Sequence, residues 1–221
     1  MIDVYATNVL CLRDTKLFRH LYSKIPNERK LKIDSYKFEK DKILSLGAWQ
    51  LFCVVMKNKG ISVDKIKIYY KENQKPYISP DVNLYFNLSH SGEYAVCAIS
   101  EQDVGCDLQK IGELNMGFAK RFFTPHEYNF LLKEKNECNQ KKNFYRLWTL
   151  KESFMKVTGY GAKLPLKDFN ISIQKEITVN HKLELQQKYY FQEYSIQEDY
   201  CCSCCGLENN FSPLKFIEID S

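Results

Sequence analysis

The sequence predicts an α+β protein, a tandem of two similar αβ subdomains, residues 1–103 and 104–221, with a cleft between them. Two observations carry that expectation. Short apolar or alternating runs are interspersed with two long helical stretches, each ending at a glycine. The order of elements in the first half then recurs in the second at offsets of about 100–106 residues, as a duplicated unit would. Ligand sites commonly lie between such halves.

The elements follow in order. The first dozen residues, with Val4 central, lack a basic start before an apolar core, so they read as a strand and not as a signal peptide. Asn27–Lys32 is a basic stretch near the end of the first helical region. Residues 35–58 form a helix with a broad apolar face (Tyr36, Phe38, Ile43, Leu44, Leu51, Phe52, Val55), and Gly60 stops it. Ile66–Tyr70 alternates as a strand, Gln74-Lys75-Pro76-Tyr77 turns, and Leu84–Leu88 and Tyr94–Ile99 are strands on either side of a polar bend, Ser89-His90-Ser91-Gly92. In the second half, Val104–Leu108 repeats the strand at Val4 and the helix over 144–158 repeats the one over 38–58. Phe169–Ile173 and Tyr189–Phe191 are later strands, and Tyr200–Cys205 echoes Tyr94–Ile99. Between them lie two short helices, Met116–Phe123 and Pro125–Lys133, the second opening on the capping box Thr124-Pro125-His126-Glu127.

Bulk properties narrow the class. A hydrophobic content of 44% suits a globular chain, and no apolar run approaches the roughly 20 residues of a membrane span. Nine cysteines are an odd count without a secreted framework, which points to a reducing cytoplasm. The run Cys201-Cys202-Ser203-Cys204-Cys205 lacks separated pairs for zinc and is read as small buried strand residues. A net charge of +5 favours acidic or phosphate-bearing partners, with no arginine-rich arm or nucleic-acid module.

Several polar residues could carry chemistry. Glu152 and Lys156 share a helix face one turn apart, either as a surface ion pair or as a metal-binding or proton-accepting carboxylate beside a phosphate-binding ammonium. Asp107 and Gln109 alternate onto one side of a strand, so both can point at one ion, or Asp107 caps the next turn. Asp107 with Glu152 would suit Mg²⁺, which takes few carboxylates. His90 is a turn histidine or part of a backbone phosphate cradle. Glu127 is explained by its cap alone.

Taken together, Asn87-Leu-Ser-His90-Ser-Gly, Val104-Gly-Cys-Asp107-Leu-Gln, Arg121-Phe-Phe-Thr-Pro-His-Glu127-Tyr and Leu147-Trp-Thr-Leu-Lys151-Glu152-Ser-Phe-Met-Lys156, with Lys75-Pro76, closely resemble the 4′-phosphopantetheinyl transferases of the surfactin-synthetase-activating type, across nearly the whole chain. The resemblance implies that family's fold, a pseudo-twofold pair of αβ subdomains with coenzyme A and Mg²⁺ in the cleft. It also implies transfer of the phosphopantetheine arm to a serine of an apo carrier protein, acyl, polyketide or peptidyl, by a cytoplasmic monomer that engages neither nucleic acid nor membrane. Asp107 and Glu152 become metal carboxylates, Glu127 part of the metal-site shell, and Lys156 a pyrophosphate contact. Lys151 contacts phosphates, Ser89 and His90 the 3′-phosphate region, and Lys75 and Pro76 the adenine side. Two positions depart. Gln109 stands where the subtype has a second acidic ligand, and Ile43 where it has a phosphate-binding arginine, with Lys42 adjacent and Lys32 or Arg29 in reach. By this resemblance Glu152, or a water held by the metal and Glu127, takes the serine proton. The alternatives are a degenerate coenzyme A or carrier binder that has lost turnover, and an unrelated Mg²⁺-dependent nucleotide hydrolase.

Overall fold

The computed structural model describes residues 1–63, 66, 68–70, 75–78 and 84–219. It is an α+β fold. Strand β1 (Asp3–Asn8) leads to helices α1 (Thr15–Ser23), α2 (Asn27–Asp34) and α3 (Glu39–Asn58). Strands β2 (Ile68–Tyr70) and β3 (Pro76–Ile78) form a small antiparallel pair, followed by β4 (Tyr85–Ser91), β5 (Tyr94–Ser100) and β6 (Val104–Lys110). Helices α4 (Met116–Phe122), α5 (Pro125–Lys133) and α6 (Glu137–Thr158) come next. Strands β7 (Phe169–Ile173) and β8 (Ile177–His181) make a second antiparallel pair, and β9 (Tyr190–Tyr194), β10 (Tyr200–Gly206) and β11 (Lys215–Phe216) finish the chain.

The first sheet has the order β11-β1-β5-β4 and the second β6-β10-β9. Without the short β11, the first sheet is the second repeated one unit earlier. Strand alternation then builds the layers. Val4, Ala6, Val96 and Ala98 of the first sheet meet Val104, Cys106, Leu108, Cys202 and Cys204 of the second. Their neighbours Tyr5, Ala95, Cys97 and Ile99 turn outward onto α3, and Ser203 and Cys205 turn onto α6. Four strands are therefore covered on both faces. That is why they read as unbroken runs of small apolar residues, and why Cys201, Cys202, Cys204 and Cys205 are buried free thiols. Among the described residues no helix is long and apolar enough to cross a membrane.

Some boundaries differ from the sequence reading. The helix expected over 35–58 starts later, at Glu39, because Phe38 is extended, and Glu39 and Asp41 then sit at its positive end. The helix expected at 144 starts at Glu137, capped by Asn136 and closed by Gly159 at φ 75°. The expected bend at Ser89–Gly92 is strand through Ser91, and only Gly92 and Glu93 turn. Pro76 opens a strand, whereas Gln74 and the Lys67 position of the earlier strand lie outside the described residues.

Candidate functional site

The two sheets meet at β4 and β6, and side chains join them. Asn87, Ser89 and Ser91 alternate onto one face of β4. Asn87 Oδ1 accepts from Cys106 N (2.9 Å), Ser89 Oγ from Leu108 N (3.2 Å) and Ser91 Oγ from Lys110 N (3.0 Å). These three hydroxyl and amide oxygens stand in for the carbonyls of a neighbouring strand.

Asp107 sits at the centre of this seam, 2% exposed. Its Oδ1 accepts from Ser89 Oγ (2.8 Å) and Lys156 Nζ (2.7 Å), and its Oδ2 from Gln109 Nε2 (3.1 Å). Lys156 Nζ also donates to Cys106 O (2.9 Å). The helix reaches the strand because position 105 is glycine: a Cβ there would stand 2.2 Å from Ser153 O and 2.5 Å from Val157 N. Burial works against the Lys156 charge, but Asp107, Cys106 and Glu152 outweigh it and raise its pKa.

Glu152, one turn earlier on the face of Lys156, is half-buried and makes no hydrogen bond or ion pair among the described residues. Burial and then the Asp107 charge push its carboxyl above the usual range, with Lys156 opposing. Two mutually repelling carboxylates, one of them unpartnered, form a donor set that a small hard dication suits. Among the described residues no cluster of three or more His, Cys, Asp or Glu side chains could hold a metal, so these two acids are all the anionic oxygen the seam offers.

Beside the seam lies a cavity of 140 Å³ whose walls include Arg29, Lys32, Trp49, Pro76, Asn87 and His90. Helix α2 supplies the cations. The Arg29 guanidinium lies 4.7 Å over the Trp49 ring. Burial and then the Arg29 charge lower the Lys32 pKa. Burial, with Lys156 and Lys32 adding to it, holds His90 down at about 4. The cavity is thus a cationic pocket in which a bound anion relieves several unfavourable interactions together.

The structure gathers Asp107, Gln109, Glu152 and Lys156 with Ser89, and Lys32 with His90 and Pro76. It does not bring in the others. Glu127 and Lys151, each fully buried, pair with one another at 2.6 Å. Glu127 Oε1 also accepts from Ile171 N and its Oε2 from Thr124 N, while Lys151 donates to Phe169 O and lies 4.1 Å from the Phe169 ring. Burial, with Glu127 opposing, lowers Lys151 to about 8. Neither residue is open to a metal or a phosphate, so their expected roles are corrected to a packing pair. Lys75 is 8% exposed, and its ammonium is bound to Asp103 Oδ1 (2.5 Å) and Val157 O (3.0 Å), not presented to an adenine. The Ser89 hydroxyl is spent on Asp107 and Leu108, so it orients a carboxylate and does not receive a phosphate. Lys42, in the first turn of α3, is not among the cavity walls. Gln109 turns its amide nitrogen to Asp107. Asn87 opens one of the quoted motifs but had no role assigned to it, and Arg29, named only as in reach of the phosphate that Ile43 cannot bind, stands in the cavity wall.

A profile described as the 4′-phosphopantetheinyl transferase superfamily matches residues 103–205, and one described as 4′-phosphopantetheinyl transferase, N-terminal, matches residues 14–102. The chain is 31% identical to the 4′-phosphopantetheinyl transferase gsp of Aneurinibacillus migulanus, covering 99% of this chain and 92% of that one. It is 33% identical to the 4′-phosphopantetheinyl transferase Sfp of Bacillus subtilis strain 168, covering 72% and 70% respectively. The human L-aminoadipate-semialdehyde dehydrogenase-phosphopantetheinyl transferase is 30% identical, covering 79% of this chain and 64% of its own.

Proposed function

We propose a reaction for the seam from one premise: this chain belongs to the 4′-phosphopantetheinyl transferase superfamily and is an enzyme that transfers phosphopantetheine to carrier proteins. Coenzyme A is the donor. Its 3′-phosphate occupies the cationic cavity between Arg29, Lys32 and His90, with Pro76 on the adenine side and the pyrophosphate running toward Lys156. What supports this placement is the mutual repulsion of Arg29 and Lys32 in the cavity wall and the position of the cavity beside the seam. Asp107 and Glu152 would hold Mg²⁺ with Gln109 beside them, and the ion when bound supplies neutralisation of the pyrophosphate oxygens.

The carrier serine Oγ attacks the phosphorus nearer the pantetheine. The bond from that phosphorus to the bridging oxygen breaks, and adenosine 3′,5′-bisphosphate leaves with the electron pair. Charge gathers on the bridging and non-bridging oxygens, where the Lys156 ammonium is positioned to meet it. Glu152, a carboxylate that makes no hydrogen bond or ion pair among the described residues, is the proposed acceptor of the serine proton. Ser89 and Gln109 hold Asp107 in one orientation throughout. The observation that carries the reading is the meeting of Asp107, Lys156 and the unpartnered Glu152 at a single seam.

The halves 1–103 and 104–221 are proposed as the two units flanking the site. The repeated sheet order supports that division, as does the change of family profile between residues 102 and 103. We also place the enzyme, as a monomer, in the reducing cytoplasm, a reading supported by its nine free thiols. The test is mass spectrometry of an apo carrier protein incubated with the enzyme, coenzyme A and Mg²⁺. The expected result is a gain of one phosphopantetheine. Coenzyme A bound without a mass gain, or cleaved with no carrier present, contradicts the reading.

A further inference from the structure

We propose that Lys75 is a positioning residue: a buried cation that fastens the C-terminal turn of α6, and with it Glu152 and Lys156, to the wall of the nucleotide cavity. The inference rests on the transferase reading above and concerns how that site is held together.

Helix α6 carries both residues in its last two turns and ends at Thr158. A helix leaves its last four carbonyls without intrahelical donors, and its C-terminus carries partial negative charge. One of those carbonyls, Val157 O, accepts from Lys75 Nζ at 3.0 Å. The donor comes from a residue 82 positions earlier in the chain. Asp103, immediately before β6, supplies the counter-charge at 2.5 Å. The ammonium is therefore held between the end of the catalytic helix and the start of the strand that carries Asp107.

The neighbour of Lys75 in sequence, Pro76, opens β3 and lines the cavity that holds Lys32 and His90. Residues 75 and 76 thus join two parts of the site, the side chain of one gripping α6 and the ring of the other facing the nucleotide. Gly105 allows α6 to lie on β6, but the room it leaves beside Ser153 O and Val157 N does not fix the helix along its axis. Lys75 adds a directional bond at the very end of the helix, beyond those that Lys156 makes to Cys106 O and Asp107. A buried lysine needs strong compensation. Here a carboxylate and a helix C-terminus both provide it, and neither leaves the ammonium facing the cavity.

This role differs from that of a phosphate ligand in what each step loses. A ligand lost from the ground state raises KM for coenzyme A and reduces the preference for coenzyme A over 3′-dephospho-coenzyme A. A lost fastening displaces Glu152 and Lys156 from the reacting atoms, and small displacements there lower kcat. The test is steady-state kinetics of Lys75→Met, Lys75→Arg and Asp103→Asn, each with both donors. A urea-unfolding double-mutant cycle on Lys75→Met and Asp103→Asn measures the coupling without reference to catalysis. The expected outcome for Lys75→Met is a fall in kcat of at least about tenfold, with KM for coenzyme A within about twofold and the donor preference unchanged. Asp103→Asn shifts the same parameter, Lys75→Arg recovers part of the loss, and the cycle shows favourable coupling. Unchanged kcat with a raised KM and a lost preference for coenzyme A would overturn the proposal and make Lys75 a phosphate ligand, with the transferase reading intact. Wild-type enzyme that modifies no carrier would instead defeat that reading, while the unfolding cycle still decides whether the fastening exists; no coupling there overturns it.

Discussion

At Glu152 the fold keeps a half-buried carboxylate without a partner, next to a second carboxylate that repels it. Such an arrangement costs stability unless a ligand relieves it. Glu152→Gln is therefore expected to leave the protein folded, or slightly more stable, while lowering transfer at least about a hundredfold; carrier modification measured beside a urea melt checks both. Glu127 behaves oppositely. Removing its charge leaves Lys151 buried without a counter-ion, a loss of about 3–5 kcal/mol, so Glu127→Gln should lower the urea midpoint sharply. At temperatures where that variant remains folded, its kcat should match the wild type. His90 gives a pH signature. The imidazole titrates at about 4 in the folded protein, whereas in the unfolded chain it takes a proton near about 6.5. The unfolded state thus binds more protons across that window, so this contribution to stability is full above pH 6.5 and is lost as pH falls toward 4. Replacing His90 with Asn should flatten the decline in urea midpoint over that range. The motifs showed Asp107, Glu152 and Lys156 in the sequence because their spacing on a strand and a helix is periodic. They could not show that Lys151, between Lys156 and the capping box of α5, turns to the other side of α6, since burial is a property of the assembled core.

Among the elements, the contact between β6 and α6 determines the site. A methyl group at position 105 has no room, so Gly105→Ala should push α6 away from β6. The expected result is about 1–3 kcal/mol of destabilisation with a kcat loss larger than that of a surface substitution, measured by urea unfolding and steady-state kinetics together. The strands were legible wherever both faces are covered, because Tyr94–Ser100 and Tyr200–Gly206 have almost no polar side chains to interrupt the pattern. The start of α3 was not. Tyr36 and Phe38 continue the helical apolar spacing past its N-terminus, and only the extended backbone at Phe38 sets the boundary. Strand β8 also escaped the reading, although Ile177, Thr178, Val179 and Asn180 alternate as a half-buried strand should. Ser89 and Ser91, which extend the ladder that Asn87 begins, looked like a bend because a cluster of small polar residues before Gly92 resembles a turn until the partner strand is known.

Across the whole molecule, the repeated sheet order sets a cationic cavity walled by α2, Trp49 and β4 against the carboxylates of β6 and α6. The element order was visible in the sequence as a repeat because both halves bury one helix on one sheet. The joint between the halves was not visible, since it depends on single side chains: Asn87, Ser89 and Ser91 across to β6, and Lys75 across to α6. With a net charge of +5, the enzyme should attract an acidic carrier by long-range steering, and raising salt should lower kcat/KM for the carrier several-fold while kcat holds. The central claim is that Asp107 and Glu152 share one divalent ion. Mn²⁺ in place of Mg²⁺ allows a direct count by electron paramagnetic resonance of the free ion in the presence of coenzyme A. One Mn²⁺ bound per wild-type chain, with none or far weaker binding in Asp107→Asn and in Glu152→Gln, is the expected result; wild-type affinity in either variant would contradict it.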